Sequence, residues 1–348
     1  LSDYKEITLK ASLAREILPF LSKAEMDCIT TLNGMVALAE HLMHYQEEGK
    51  SLFPEIYIID DLELVGKILT NFEYYKIGES EKSIETMLKA LKKCAPLTGE
   101  GWVIYILRKT HTYEYGVFRT ASSILSISIE EALINQGSKE LKCILIRQIS
   151  DNITEIKNFI SKSLIITFGS VLGDKKKTLN RCDDFVDSIV QNVDEKIKDQ
   201  ITNFYKKVFN NVMRKGHGTL ACVIDHRKRK IPQTLSDGIF LTKRIEVAKQ
   251  ILQKDSGIDL ISHVKLEGSL SIISGMMLSD GITVFSNDGS LISYNVFLKH
   301  SSKLNKTSTN GGARTRTYLG LCNLIGKDLE AAFIQSQDGK TEFKINGK

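Results

Sequence analysis

Two short segments of this 348-residue chain carry side chains suited to chemistry on a phosphate. Arg314-Thr315-Arg316, preceded by Gly312-Ala313 and followed by Thr317, opens a run that reads as a helix. Guanidinium forks at that place stand beside the N–H groups that a helix start leaves without intrahelical acceptors, an arrangement that suits a phosphate. Cations are disfavoured at a helix N-terminus unless an anion offsets them, which favours the binding reading over a merely solvated helix start. Thr315 and Thr317 add hydroxyl groups. The second segment is Asp280-Gly281, at an expected helix-to-strand turn. Its carboxylate can hold a Mg²⁺ or Mn²⁺ ion that also bridges to a phosphate. Its glycine lets the backbone come close to a nucleotide. Taken alone, Asp-Gly is ordinary turn chemistry.

The order of these segments resembles a known family. The chain reads Gly216-His217-Gly218-Thr219-Leu220, then Ser279-Asp280-Gly281-Ile282, then Gly312-Ala313-Arg314-Thr315-Arg316-Thr317, then Gln335-Ser336-Gln337-Asp338-Gly339. Diadenylate cyclase (DAC) domains run in similar order through a His-Gly strand entry, a helix ending in Asp-Gly-Ala, a hairpin, a Gly-Thr-Arg-His-Arg segment opening a helix, and a strand ending in Ser-Glu-Glu. The resemblance implies a nucleotide domain at 211–348 that condenses two ATP into cyclic di-AMP, each 3′-hydroxyl attacking the other α-phosphate across a face-to-face pair of domains. It implies Asp280, Arg314 and Arg316 as catalytic residues, and Asp280 with Asp338 as holders of Mg²⁺ or Mn²⁺. It implies His217, Gly281, Ile282, Gly312, Ala313, Arg314, Thr315, Arg316, Thr317 and Ser336 as the nucleotide-binding set. The chain departs from the family pattern with Ile282 for Ala, Ala313 for Thr, Thr315 for His, and Gln337-Asp338 for the acidic pair. With those departures, the same residues also describe a module that binds ATP or a cyclic dinucleotide as a sensor without turnover. Tyr113–Arg119 resembles, more faintly, sensor-like regions that accompany bacterial DAC domains, so residues 1–175 are expected to be regulatory.

Other candidates have plainer readings. His41 and His44 lie about one helical turn apart, but with no third ligand nearby they read as surface histidines. His226-Arg227-Lys228-Arg229-Lys230 reads as a solvated loop, and Asp60-Asp61 as a helix cap. The six cysteines are scattered with no Cys-x-x-Cys pair, as expected of reduced thiols in a cytoplasmic protein. A net charge of +5 permits an anionic ligand and does not point to nucleic acid. Hydrophobic residues make up 42% and charged residues 26%, the composition of a soluble globular chain long enough for two domains. No apolar run reaches membrane-spanning length; Phe159–Leu172, broken by Lys162, reads as a buried strand or helix. The polar start Leu1–Glu6 lacks a signal-peptide pattern.

The elements that must position these residues follow from periodicity; the first domain reads as α/β or α+β, and the second as α/β with a mixed twisted sheet flanked by helices. Apolar spacing predicts helices over Ala24–Gln46, Leu62–Leu69 and Ser80–Cys94, and one long amphipathic helix over Cys182–Arg214. That long helix lies in a linker at 176–210 and is available to pack on a domain or on a second copy. Runs of β-branched and aromatic residues predict strands at Ile56–Ile59, Trp102–Leu107, Tyr115–Arg119 and Leu141–Ile149. In the last domain the expected order is strand Thr219–Asp225, helices Lys243–Gln253 and Val264–Leu278, a hairpin Ile282–Val296 turning at Asn287–Ser290, helix Ala313–Leu324, and a closing strand pair Leu329–Ser336 and Thr341–Ile345.

Overall fold

The computed structural model describes residues 9–43, 45–47, 49–99, 101–120, 125–135, 140–150, 153–160, 163–167, 180–215, 218–228, 231–235, 237–254, 259–299, 312–336 and 341–347. The chain divides into two units, Leu1–Ser122 with Ile127–Gly173, and Ser123–Ser126 with Asp174–Lys348. Each is α/β, a mixed sheet with helices packed on both faces.

The first unit contains α1 (Leu9–Lys23), α2 (Ile29–Leu42), the small pair β1 (Gln46–Glu47) and β2 (Lys50–Ser51), β3 (Glu55–Ile59), α3 (Leu62–Ile68), β4 (Phe72–Glu81), α4 (Ile84–Cys94), β5 (Val103–Arg108), β6 (Thr112–Thr120), a π-helical turn (Glu131–Asn135), β7 (Cys143–Ser150), β8 (Ile153–Asn158) and β9 (Leu164–Thr167). Its seven-stranded sheet has the order β4-β6-β5-β3-β7-β8-β9, with β3 and β5 parallel. Ile56-Tyr57-Ile58-Ile59 is apolar throughout because both faces are covered. Ile56 and Ile58 pack among residues of α1, α2 and α4. Tyr57 and Ile59 pack with Val65 of α3 and with Leu133 and Ile134 of the π-helical turn. Asp61 caps α3 by accepting from the Leu64 N–H at 2.9 Å, as the sequence suggests.

Two expectations shift here. The helix read from Ala24 starts at Ile29, because α1 ends at Lys23 and the chain turns through Glu25 at φ 53°, with the Met26 N–H donating to Leu21 O. The helix read from Ser80 starts at Ile84, after Ser80 and Glu81 have completed β4, and Ser83 caps it through the Thr86 N–H at 3.1 Å. β4 has no apolar alternation to betray it, since it is a mostly exposed edge strand. Tyr113 and Tyr115, in the stretch resembling sensor regions, lie in β6 with their side chains buried in the core.

The second unit contains α5 (Asn180–Ile189), α6 (Glu195–Arg214), β10 (Thr219–Ile224), β11 (Asp237–Glu246), α7 (Val247–Lys254), α8 (Asp259–Leu278), β12 (Ile282–Ser286), β13 (Ser290–Phe297), α9 (Ala313–Cys322), β14 (Ala331–Gln335) and β15 (Thr341–Ile345). The sheet order is β11-β13-β12-β10-β14-β15, and β10–β12 is its parallel pair. On one face Phe285 of β12 and Phe333 of β14 pack against rings of Phe185 from α5 and Tyr205 and Phe209 from α6, with residues of α7 and α8 in the same cluster. The other carries Leu220, Cys222, Ile282 and Val284 against Tyr318 and Leu321 of α9.

The stretch read as one helix over Cys182–Arg214 is two. Asp194 caps α6 through the Lys196 N–H at 3.0 Å. The break docks on the β12–β13 turn, the Asn192 N–H donating to Asn287 O at 2.8 Å and the Gly289 N–H to Ile189 O at 2.9 Å. Ile197, Ile201, Phe204 and Val208 are buried in the unit's own core, so this apolar face belongs to the second unit and is not a linker surface open to a second copy. β11 arises where a helix from Lys243 is expected; α7 begins only at Val247. The six cysteines are free thiols, and among the described residues no helix is long and apolar enough to cross a membrane.

Candidate functional site

Register brings the sequence landmarks of the second unit to one end of its sheet. Leu220 lies opposite Ile282 in the parallel pair β10–β12, and Thr219 lies opposite Gln335 in the antiparallel pair β10–β14. The chain therefore enters β10 at Gly218-Thr219, enters β12 at Asp280-Gly281 and leaves β14 at Ser336 on the same side. Neighbouring strands lie about 4.8 Å apart, so Gly281 and Ser336, two strands apart, are separated by roughly 10 Å. The fourth landmark joins them through α9, whose Arg314 Nη2 stands 3.8 Å from Asp280 Oδ1. This is the amino end of the parallel strands, opposite the carboxyl-end crevice used by doubly wound sheets. Here α9, packed beside the sheet, brings its N-terminus to the site.

Local contacts explain why Asp280 is held where it is. The Thr219 hydroxyl donates to Met277 O at 2.6 Å and the Ser279 hydroxyl to Met276 O at 2.6 Å, which fastens the last turn of α8 over the start of β10. Gly281 has φ 85°, and a Cβ there would meet the Asn295 backbone at 2.9 Å, so the position demands glycine. Asn295 donates from Nδ2 to Asp280 O at 2.9 Å. The Asp280 side chain is 76% exposed and that of Arg314 32%, so both are accessible to a ligand. Tyr318 and Leu321 anchor α9 in the core, while Gly312, Ala313 and Arg316 are exposed at its start. Gly312 is the N-cap and brings no side-chain cap to the first turn.

Several expected contacts are altered. The Ile282 side chain is fully buried beneath α9 with Val284 and Val296, so a ligand can reach only its backbone, and its extra bulk relative to Ala lies in the core. The Thr317 hydroxyl donates to Ala313 O at 3.0 Å and is engaged within the helix. Thr315 is half-buried in the first turn of α9, and Ser336 follows β14 directly. His217, Gln337 and Asp338 lie outside the described residues, as do His44 and Arg229-Lys230. His41 contacts Ala37 O through Nδ1, and among the described residues no group of three or more His, Cys, Asp or Glu is placed to hold a metal. The loop at 226–228 lies at the opposite end of β10, where Arg227 pairs with Asp225 at 2.6 Å and Lys228 donates to Lys327 O.

Two residues at the site were not singled out by sequence. Asn295 is one. Phe297 is the other: it ends β13 on the same side and is 45% exposed, a residue on which a base can stack. Asn in a strand is a depleted residue and was a legible irregularity; an exposed Phe gives no such signal. Comparison of the chain with protein-family models, with curated proteins and with solved structures found no match.

Proposed function

We propose that the second unit binds the polyphosphate of an adenine nucleotide and, as a face-to-face pair with a second copy, condenses two ATP into cyclic di-AMP, each 3′-hydroxyl displacing pyrophosphate from the other ATP's α-phosphate. The observation that carries this reading is the approach of Arg314 to Asp280 at the sheet end where Gly218, Gly281 and Ser336 also gather. Segments far apart in sequence, picked out for their chemistry, share one surface. Arg314 and Arg316, with the first-turn N–H groups of α9, bind phosphate oxygens. Asp280 receives the 3′-hydroxyl proton or holds a divalent cation. A hard cation such as Mg²⁺ or Mn²⁺ is bound through one or two carboxylates and substrate phosphates, and an exposed Asp280 beside a phosphate-binding guanidinium fits that donor set. The metal neutralises phosphate charge when bound. The six free thiols suit a cytoplasmic setting, and the first unit serves as the regulatory part.

The test is incubation of the purified chain with ATP and Mn²⁺ or Mg²⁺, with products read by chromatography and mass spectrometry. Cyclic di-AMP is the expected product. Asp280→Asn is expected to keep ATP binding within a few-fold in the absence of a divalent cation and to remove synthesis, because the amide cannot take a proton and lacks the carboxylate charge that draws the cation. Unaltered synthesis in that variant removes Asp280 from the chemistry. ATP binding without any product from the wild-type chain assigns the unit to nucleotide sensing instead.

A further inference from the structure

β13 is irregular where it passes the Asp280-Gly281 turn. Its pairing with β12 shifts between Ile282↔Val296 and Val284↔Ser293, and its pairing with β11 shifts between Asp237↔Phe297 and Ile239↔Tyr294. Between those points β13 has an extra residue on both sides, a bulge of the kind that re-aims side chains beside functional sites. Asn295 stands in it with φ 51°, a left-handed conformation that Asn tolerates better than most residues. Its two neighbours across the sheet are glycines. A Cβ on Gly281 would lie 2.9 Å from the Asn295 carbonyl carbon, and one on Gly238 would lie 3.0 Å from Asn295 O and 2.7 Å from Val296 Cα. With the backbone so placed, Asn295 Nδ2 reaches Asp280 O at 2.9 Å.

We propose that Asn295 is a positioning residue: its amide holds the Asp280 peptide, and so aims the Asp280 carboxylate at Arg314 and at the cation and phosphate between them. Three features converge on this one contact, namely the bulge, the left-handed Asn and the glycine on either side. The proposal deepens the nucleotide reading and rests on it only for its ligand readout; the ordering of the turn is measured without ligand.

Asn295→Asp keeps the shape and the tolerance for positive φ but replaces the donor with an oxygen facing the Asp280 carbonyl. Asn295→Gly keeps the backbone and removes the amide, and carries the test alone should the Asp variant fail to fold. In the full chain, amide hydrogen exchange at 280–282 is expected to quicken roughly tenfold in both, the scale of one lost hydrogen bond, while exchange in β10 and β14 stays at the wild-type rate. ATP affinity by calorimetry is expected to fall roughly tenfold with Mg²⁺ present and to change little without it, because Asp280 acts through the cation. Unchanged exchange at 280–282 overturns the proposal, and so does an equal loss of ATP affinity with and without Mg²⁺. If the wild-type chain binds no ATP, the exchange result decides the proposal by itself, and it is the nucleotide reading that falls.

Discussion

Replacing Arg314 and Arg316 together by alanine is expected to abolish ATP binding by the second unit while leaving it folded. Each guanidinium supplies charge-assisted hydrogen bonds to phosphate, worth about 1.5–3 kcal/mol apiece, so a single substitution weakens affinity about 10- to 100-fold and the pair removes it from the range of calorimetry. The fold is spared because neither side chain is part of the core: Arg316 is exposed, and Arg314's partner Asp280 is 76% exposed and remains hydrated when the arginine is lost. Surface changes of this kind cost within about 0.5 kcal/mol. Arg314→Lys separates charge from geometry. An ammonium keeps the attraction but not the planar two-pronged contact, so affinity is expected to return only in part. Raising the salt concentration should weaken the wild-type complex more steeply than that of either single alanine variant. Wild-type affinity in the double variant places the phosphate elsewhere.

That such a site can be sought at all reflects what sequence pattern conveys and what it does not. Where an element buries a continuous face, it was legible: Ile56–Ile59, Trp102–Leu107 and the hairpin Ile282–Val296 fall where periodicity and turn chemistry put them. Where an element lies at an edge, it was not. β4 and β11 are the outer strands of their sheets, and their exposed faces carry charges and aromatics without alternation, so nothing in their composition distinguishes strand from the start of the following helix. The split of Cys182–Arg214 into α5 and α6 was hidden for another reason. A hydrophobic period persists across the break, which is set by hydrogen bonds to Asn287 and Gly289 about a hundred residues later. At the site, Asp280, Gly281 and Arg314 were legible because each has a distinctive residue type. Their gathering at one sheet end depends on register, and Asn295 on a bulge; both are long-range facts that local sequence does not encode. Ile282 shows the converse error, since a position adjacent to a motif points inward when the strand's alternation says so.

The first unit offers the largest expected effect on stability. Arg147 is expected to be indispensable to it, because its guanidinium meets three carboxylates beneath the π-helical turn, two of which, Glu130 and Glu155, also meet Lys157. Arg147 contacts Glu130 Oε2 at 2.6 Å, Glu155 Oε2 at 2.7 Å and Glu55 Oε1 at 3.8 Å, and Lys157 completes the group from Glu130 Oε1 at 2.5 Å. The Glu155 side chain is fully buried, and those of Glu130 and Arg147 are nearly so. Arg147→Met leaves these carboxylates short of a counter-charge and is expected to cost about 3–5 kcal/mol. Adding Glu155→Leu and Glu130→Gln to that variant is expected to restore much of the loss, since a buried ion cluster replaced by uncharged groups is often close to neutral. The pH dependence has a definite sign. Burial alone pushes the Glu130 carboxyl up, but Arg147 and Lys157 overcome it and hold the group at about 2, below its ordinary 4.5. A depressed carboxyl contributes stability that is complete above the unfolded value and is lost as the pH falls, so the first unit weakens between about pH 4.5 and pH 2. The chain's single tryptophan, Trp102, lies in this unit, so its fluorescence in urea reports the first unit alone. In Glu130→Gln that acid-dependent loss should shrink. A slope between pH 4.5 and pH 2 unchanged from wild type would show that Glu130 is not the group responsible.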